Sequence, residues 1–503
     1  MNQSDAERIR AVLEALGYER TEQEEEAHLL GIVACSVRQK AIDKVYSKIH
    51  KWNEWKNSKN LLTFVSGCIL PADREKFLDR FDLLFTINEL PKLPELIRQY
   101  GVLTPLGARA ATEEPDDLGP ESLEFQAESA TGERGETFRG YTPSRGSFGE
   151  IPLMEFALPK APSETASAEE RAGSGRGKGQ SPLEDIRKGF WRIQPAYSSS
   201  FEAYVPIQNG CDKFCTFCAV PYTRGREVSR PSEEILAEVT GLVEQGYKTI
   251  TLLGQNVNSY GLDRRSSEMS FPELLREVGE IGRRSGKEFW VYFTSPHPRD
   301  MTDEVLETIA AYPVLANQIH LPMQSGDDKV LIRMNRNYRL AGYRRVVESI
   351  RRILPEATLF TDIIVGFTGE TEEQFQNTRR AMEEFRYNMA YVAIYSPRPG
   401  AASSRWADDV PQEEKKRRLH ELSELLQKTS MEYNKELIGR ELRVLVQGRD
   451  RKGFLSGHTE GKLPIRLART DREDLVGQFV DVVVTDCAPL SLQGELLKVP
   501  AGA

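Results

Sequence analysis

A chain of 503 residues has room for about three domains, each able to bury its own core. Its hydrophobic content of 39% is dispersed: no apolar run reaches the roughly 18 residues of a membrane span, and MNQSDAERIRAVLEALGY has neither the basic nor the apolar region of a secretory signal. The formal net charge of −9 argues at first sight against a polyanion partner, yet residues 111–180 carry about −7 of it, and residues 440–470 hold 8 Lys/Arg against 3 Asp/Glu. A nucleic-acid partner therefore stays open. Three of the six cysteines crowd together and the others are scattered, which is no disulfide framework. The expectation is a reduced, cytoplasmic protein whose thiols hold metal.

Residues 1–95 alternate helix and strand. The spacing predicts helices over 4–16, 37–49 and 74–81 and strands over 29–33, 61–65 and 83–86. This is the pattern of a parallel, flavodoxin-like sheet. Cys35 and Cys68 fall just past the ends of two of the strands, the edge where open α/β sheets bind ligands. They are either two buried thiols or one shared site. Residues 96–195 read as a linker. Within it, 105–182 is rich in Gly, Ser, Pro, Glu and Ala and cannot bury enough surface to offset its ordering entropy. That stretch is expected to be a disordered insertion, with one apolar island at Ile151–Leu158.

From 196 to 435 the βα rhythm is regular. Ser232 is expected to cap the helix that precedes the strand KTITLLG. Further strands read FWVYFT, LANQIHL, TLFTDIIVG and MAYVAIY, so about six βα units form a partial parallel barrel, (β/α)6. Residues 436–500 carry short β-like runs with Gly-rich turns and predict a small β-barrel, in which Cys487 is a small buried hydrophobe.

The chemistry gathers in the middle domain. Cys211, Cys215 and Cys218 form C-x3-C-x2-C on one loop, enough for three corners of a 4Fe-4S cubane with the fourth iron open. A zinc knuckle, on a non-catalytic RNA-binding protein, is the alternative; zinc wants four tetrahedral ligands, and no fourth Cys or His lies nearby. In such a barrel the active site collects at the C-terminal strand ends. There stand Gly254-Gln255-Asn256, Ser295-Pro296-His297, Gln324-Ser325-Gly326 and Tyr395-Ser396 beside the triplet. An open iron suits a bidentate amino acid, and S-adenosylmethionine fits that description. Phe217 either packs or stacks near the adenine. Arg224, Arg226 and Arg230 make salt bridges at the barrel mouth or touch phosphate or carboxylate. Arg443, Arg449, Arg451 and Lys452 are a solvated face or a set of phosphate contacts.

AYVPIQNGCDKFCTFCAVPYTRGREVSRP, LLGQNVNSYG, HLPMQSG, IVGFTGET and YSPRPGAAS together resemble the methylthiotransferases of the radical-S-adenosylmethionine superfamily. ACSVRQKA and SGCI resemble that family's N-terminal domain, and VGQFVDVVVTDCAPLSLQGEL its C-terminal RNA-binding TRAM domain. The resemblance covers nearly everything outside 105–182. It implies that Gly254, Gln255, Asn256, Ser295, Gln324, Ser325 and Asp362 surround the cofactor. It also implies a tRNA substrate, a sulfur donor, and an electron donor of flavodoxin or ferredoxin type. The branch it points to methylthiolates isopentenylated adenosine beside the anticodon; sister branches act on threonylcarbamoyl-adenosine or on a ribosomal-protein aspartate. A second 4Fe-4S cluster is implied on three cysteines of the N-terminal domain, the first in a Gly-Cys-Gln-Met-Asn motif. This chain opens Met1-Asn2, as if entered within that motif, and offers only Cys35 and Cys68. The expectation is that the third ligand lies upstream of Met1; the alternative is a true loss, leaving a defective cluster that cannot insert sulfur.

Overall fold

The computed structural model describes residues 1–35, 39–56, 58–99, 153–157, 189–469 and 472–497. They divide into two compact units, residues 2–198 and 199–503.

In the first unit the helix Asn2–Ala15 buries Ile9, Val12 and Leu13, one stripe at helical spacing, and ends at Gly17 in a positive-φ conformation. β1 (Glu19–Arg20), β2 (Leu29–Cys35), β3 (Leu62–Cys68), β4 (Leu83–Leu84) and β5 (Leu153–Ala157) form one sheet in the order β1-β5-β2-β3-β4. β2, β3 and β4 are parallel, as expected. β3 is buried along its whole length, which suits a strand covered on both faces.

The helix after β2 runs Gln39–Trp55, beyond the expected Ile49, because Trp52 extends the buried stripe. The next helix starts early, at Pro71, whose fixed φ suits a first helical position. The last strand is cut short because Thr86 caps a 3-10 turn, its backbone and hydroxyl both donating to Glu89 at 2.8 Å.

β5 is the apolar island. It runs antiparallel to β2 and β1, pairing Leu29 with Phe156 and Ile32 with Leu153. In the order 2-1-3-4-5 of flavodoxin-like sheets the place between the second and third strands belongs to the first. Here β5 holds that place in the opposite direction. The rest of the expected insertion, 105–182, lies outside the described residues.

In the second unit β6 (Glu202–Pro206) is followed by the short β7 (Gln208–Asn209) and β8 (Val228–Ser229), which pair with each other. β9 (Thr249–Leu253) and β10 (Trp290–Phe293) complete a parallel sheet β6-β9-β10. β11 (Gln318–His320), β12 (Thr358–Val365) and β13 (Met389–Ile394) form a second parallel sheet. A parallel bridge between Val291 and Leu315 joins the two in barrel order. The helices Ser232–Glu244, Phe271–Ser285, Asp303–Ala311, Leu340–Ile353 and Glu372–Phe385 separate the strands. Ser232 is the first helical residue rather than the cap; its N–H is taken instead by the Glu268 carboxylate at 3.2 Å.

The helix Gln412–Glu436 leads to a closed barrel of β14 (Glu441–Arg449), β15 (Leu455–Thr459), β16 (Pro464–Leu467), β17 (Phe479–Ala488) and β18 (Ser491–Leu496). This small barrel packs at the N-terminal ends of the large one. Trp290, Tyr292, Ala316 and Leu445 are buried together with Phe479 against them. Tyr292 donates to the Glu460 carbonyl at 2.9 Å, and Thr358 to that of Gly461 at 2.7 Å. The opposite, C-terminal face of the large barrel carries the cysteine loop.

Candidate cluster and cofactor site

The loop between β7 and β8 carries all three cysteines. Gly210 opens it at φ +81°, where an added Cβ would sit 2.0 Å from the Arg226 carbonyl oxygen, so no other residue fits. The Cys211 N–H then donates to the Gly225 carbonyl at 3.2 Å, closing the loop's neck. Its tip is pinned from outside. Thr216 donates through its backbone to the Met334 carbonyl at 3.0 Å and through its hydroxyl to that of Arg333 at 2.8 Å. Asn335 donates to the Phe214 carbonyl at 3.0 Å, and Lys213 pairs with Asp300. A loop held this firmly presents its thiols in one arrangement.

The three thiols feel one another. Burial pushes Cys211 up to about 11, and the neighbouring Cys215 and Glu227 push the same way. Burial pushes Cys218 up to about 12, with Cys215 and Cys211 again resisting a second negative charge. Without metal these two thiols stay protonated at neutral pH, so loading iron displaces protons. Among the described residues no three Cys, His, Asp or Glu side chains converge as a single-ion site. A tetrahedral zinc needs that convergence; a cubane does not, because each cysteine binds a different iron.

Beside the loop, the turn after β9 has the polar groups a bound amino acid would use. Asn256 is 1% exposed, yet neither its amide oxygen nor its amide nitrogen has a partner among the described residues. The side-chain oxygens of Gln255 and Gln208 are likewise buried and unpartnered, while the Gln208 amide nitrogen donates to Ser259 at 3.1 Å. An unsatisfied buried amide costs about 1–3 kcal/mol, so such a cluster favours a polar ligand. A Cβ on Gly254 would press within 3.0 Å of Gln208 and Val257, which keeps this turn tight. The donor set therefore fits both a three-thiolate cluster and the amino and carboxylate groups of S-adenosylmethionine.

The remaining strand-end residues divide. Ser295 is exposed after β10 at φ +58°. Gln324 takes φ +67°; its N–H donates to the Asp362 carbonyl at 2.8 Å and its carbonyl accepts from Ile364 at 2.9 Å. Ser325 is fully buried against Thr378, 3.3 Å away, and accepts the Asp327 N–H, so its hydroxyl is committed inside the fold and is withdrawn as a cofactor contact. Asp362 is paired with His320 at 2.9 Å, next to Tyr391. Phe217 is half-buried on a hydrophobic cluster of Val330, Met334, Phe367 and Tyr395. Glu370, at the end of the IVGFTGE motif, accepts the Gly366 N–H at 2.6 Å and pairs with the buried Arg418 at 2.9 Å. That motif staples its own turn.

The expected RNA contacts need correcting. Arg230 is 2% exposed and buried against the carboxylates of Glu238 and Glu234, so it holds the barrel together and cannot meet a phosphate. Arg224 is buried and donates to Asn209 at 3.1 Å. Arg443 lies at the junction of the two barrels, bonded twice to Glu288 at 2.7 and 2.6 Å and once to Asp481 at 3.0 Å. Arg449 pairs with Glu473. Arg226, Arg451 and Lys452 are exposed. Arg226 lies over the Phe214 ring at 5.5 Å.

Two residues escaped the sequence reading. Arg336 donates to the Cys215 sulfur at 3.3 Å from 121 positions away, and His320 meets Asp362 across 42. Neither separation leaves a local pattern to find.

In the first unit, Cys35 and Cys68 are direct partners at the ends of the parallel strands β2 and β3. The Asn2 amide donates to the Val33 and Ala34 carbonyls at 3.3 and 3.0 Å, and its oxygen lies 3.8 Å from the Cys68 sulfur.

Residues 205–382 match the radical SAM superfamily, residues 435–497 the TRAM domain, and residues 1–86 a group described as uncharacterized protein family UPF0004. The chain is 33% identical to the tRNA-2-methylthio-N(6)-dimethylallyladenosine synthase of Vibrio cholerae, spanning 99% of this chain and 90% of that one. It is 32% identical to the synthase of the same name from Actinobacillus pleuropneumoniae, with the same coverage. Among solved structures it is similar to the radical S-adenosylmethionine methyltransferase TsrM from Kitasatospora setae, at 15% identity and a TM-score of 0.37, over 72% of this chain and 66% of that one.

Proposed function

Because this chain belongs to the radical SAM methylthiotransferases that modify tRNA, we propose that it inserts sulfur and a methyl group at C2 of N6-isopentenyladenosine beside the anticodon. The observation that carries the reading is the cysteine loop standing beside a turn of unpartnered buried amides at the C-terminal strand ends. In this reading Cys211, Cys215 and Cys218 bind three irons of a 4Fe-4S cluster and leave the fourth for the amino acid end of S-adenosylmethionine. Asn256, Gln255 and Gln208 take the hydrogen bonds of its amino and carboxylate groups, which satisfies their buried amides. When bound, the cofactor supplies hydrogen abstraction by a 5′-deoxyadenosyl radical, which reaches a C–H bond beyond ordinary acid–base chemistry.

The rest of the assignment follows the same reading. Cys35 and Cys68, paired across β2 and β3, supply two thiolates to a second cluster that handles the incoming sulfur. Arg226 at the mouth and Arg451 and Lys452 on the small barrel face the tRNA backbone.

Anaerobic reconstitution with iron and sulfide tests the site. The protein should turn brown with a broad charge-transfer absorption and, once reduced, should cleave S-adenosylmethionine to 5′-deoxyadenosine and methionine. Cys211→Ala, Cys215→Ala and Cys218→Ala should each abolish that cleavage. A colourless protein holding stoichiometric zinc would overturn the proposal.

A further inference from the structure

Arg336 sits on the turn after the helix Asp328–Arg333, where Asn335 and Asn337 both take positive φ, 55° and 54°. That turn drives a guanidinium into the wall behind the cysteine loop, where it is 7% exposed. Its Nε donates to the Tyr338 hydroxyl at 3.2 Å, one Nη to the Pro322 carbonyl at 3.2 Å, and the other to the Cys215 sulfur at 3.3 Å. None of the three is a carboxylate. Two other buried guanidiniums of this unit are compensated by carboxylates: Arg230 has Glu238 and Arg418 has Glu370.

A buried charge with no counter-charge is strongly unfavourable, and arginine does not escape by losing its proton. Tyr338 offers no anion, since burial holds its phenol in the neutral form. Of the three groups that Arg336 donates to, the Cys215 sulfur is the one that becomes an anion on ligating iron. We propose that Arg336 is a positioning and tuning residue for the iron–sulfur cluster: its N–H···S bond to Cys215 compensates the cluster's negative charge and raises its reduction potential. A fixed positive charge at hydrogen-bond distance stabilises the extra electron, and hydrogen bonds to cluster sulfurs are among the determinants of potential. The inference rests on the triplet being the cluster's ligand set.

The test compares wild type, Arg336→Met and Arg336→Lys after the same reconstitution, reading iron content, the circular dichroism of the fold and the midpoint potential by redox titration. Arg336→Met should favour the oxidised cluster by about tenfold or more, which is 59 mV downward for one electron. Arg336→Lys keeps the charge and should stay close to wild type. Should the Met variant fold but refuse the cluster while the Lys variant loads it, charge compensation is again supported. Equal potentials in all three overturn the proposal, and so does equal loss of cluster or equal shift in Met and Lys, which would make Arg336 a packing residue. A wild type that takes up no iron would overturn the ligand assignment itself, a failure distinct from a loaded wild type whose potential the Met variant leaves unmoved.

Discussion

Asn256 is a buried amide with no side-chain hydrogen-bond partner among the described residues. Replacing it with leucine, which keeps the branch at Cγ, removes an unsatisfied polar group and so should leave thermal stability unchanged or higher. The same change should weaken S-adenosylmethionine binding by about 1–3 kcal/mol, roughly five- to 150-fold, measured by calorimetry on reconstituted protein. Equal affinity would remove Asn256 from the cofactor site. His297 makes a prediction in pH. Burial, aided by Arg336, Lys213 and Arg299, holds its imidazole down to about 2, against about 6.5 in the unfolded chain. Below 6.5 the unfolded chain takes up a proton that the native chain refuses. The stabilisation is therefore complete above pH 6.5 and is lost as pH falls from there toward 2, by about 1.4 kcal/mol per unit. His297→Asn keeps an acceptor for the Arg299 N–H and should flatten that part of the slope in denaturant titrations between pH 7 and 5; an unchanged slope would contradict it. At this scale the sequence was legible wherever chemistry is local. The triplet is a spacing, and Gly254-Gln255-Asn256 is a turn. Arg230 was left between a salt bridge and a phosphate contact because a basic residue near a site looks the same in sequence whether it faces solvent or, as here, Glu238.

At the scale of elements, hydrophobic periodicity gave the parallel strands of both α/β units and the three helices of residues 1–95, since each buries a face whose spacing is fixed by its own geometry; the 25-residue helix Gln412–Glu436 went unread. Their ends were less legible because caps decide them: Thr86 with Glu89 cut a strand short, and Trp52 prolonged a helix. The partner of an apolar run is not legible at all, because alternation says that a strand exists and not what it pairs with. β5 is the case in point. Its Met154 is buried in the core with Ile32, and its backbone covers the open side of β2. Met154→Ala should cost about 2–5 kcal/mol, and hydrogen exchange across Leu29–Ile32 in the full chain should speed up while exchange in β9 and β12 does not. Unchanged protection of Leu29–Ile32 would mean that β5 adds nothing to the sheet.

At the scale of the whole molecule, the small barrel and the large one share a compact unit, with the small barrel at the strand ends opposite the cysteine loop. The buried aromatic contact should dominate that junction. Trp290→Ala should cost about 3–5 kcal/mol, whereas Arg443→Ala, which removes a half-exposed ion pair, should cost about 0.2–1 kcal/mol. Similar losses in thermal unfolding would contradict this ranking. No helix among the described residues is long and apolar enough to cross a membrane. Which RNA base is modified is written in no single element, since it depends on how a whole tRNA meets the mouth of the large barrel. The most direct test is therefore nucleoside analysis of tRNA from a strain lacking this gene, with wild type or Cys215→Ala returned. The account predicts that methylthio-isopentenyladenosine disappears, that isopentenyladenosine accumulates, and that only the wild-type chain restores the modification; unchanged methylthio-isopentenyladenosine in the deletion strain would contradict it.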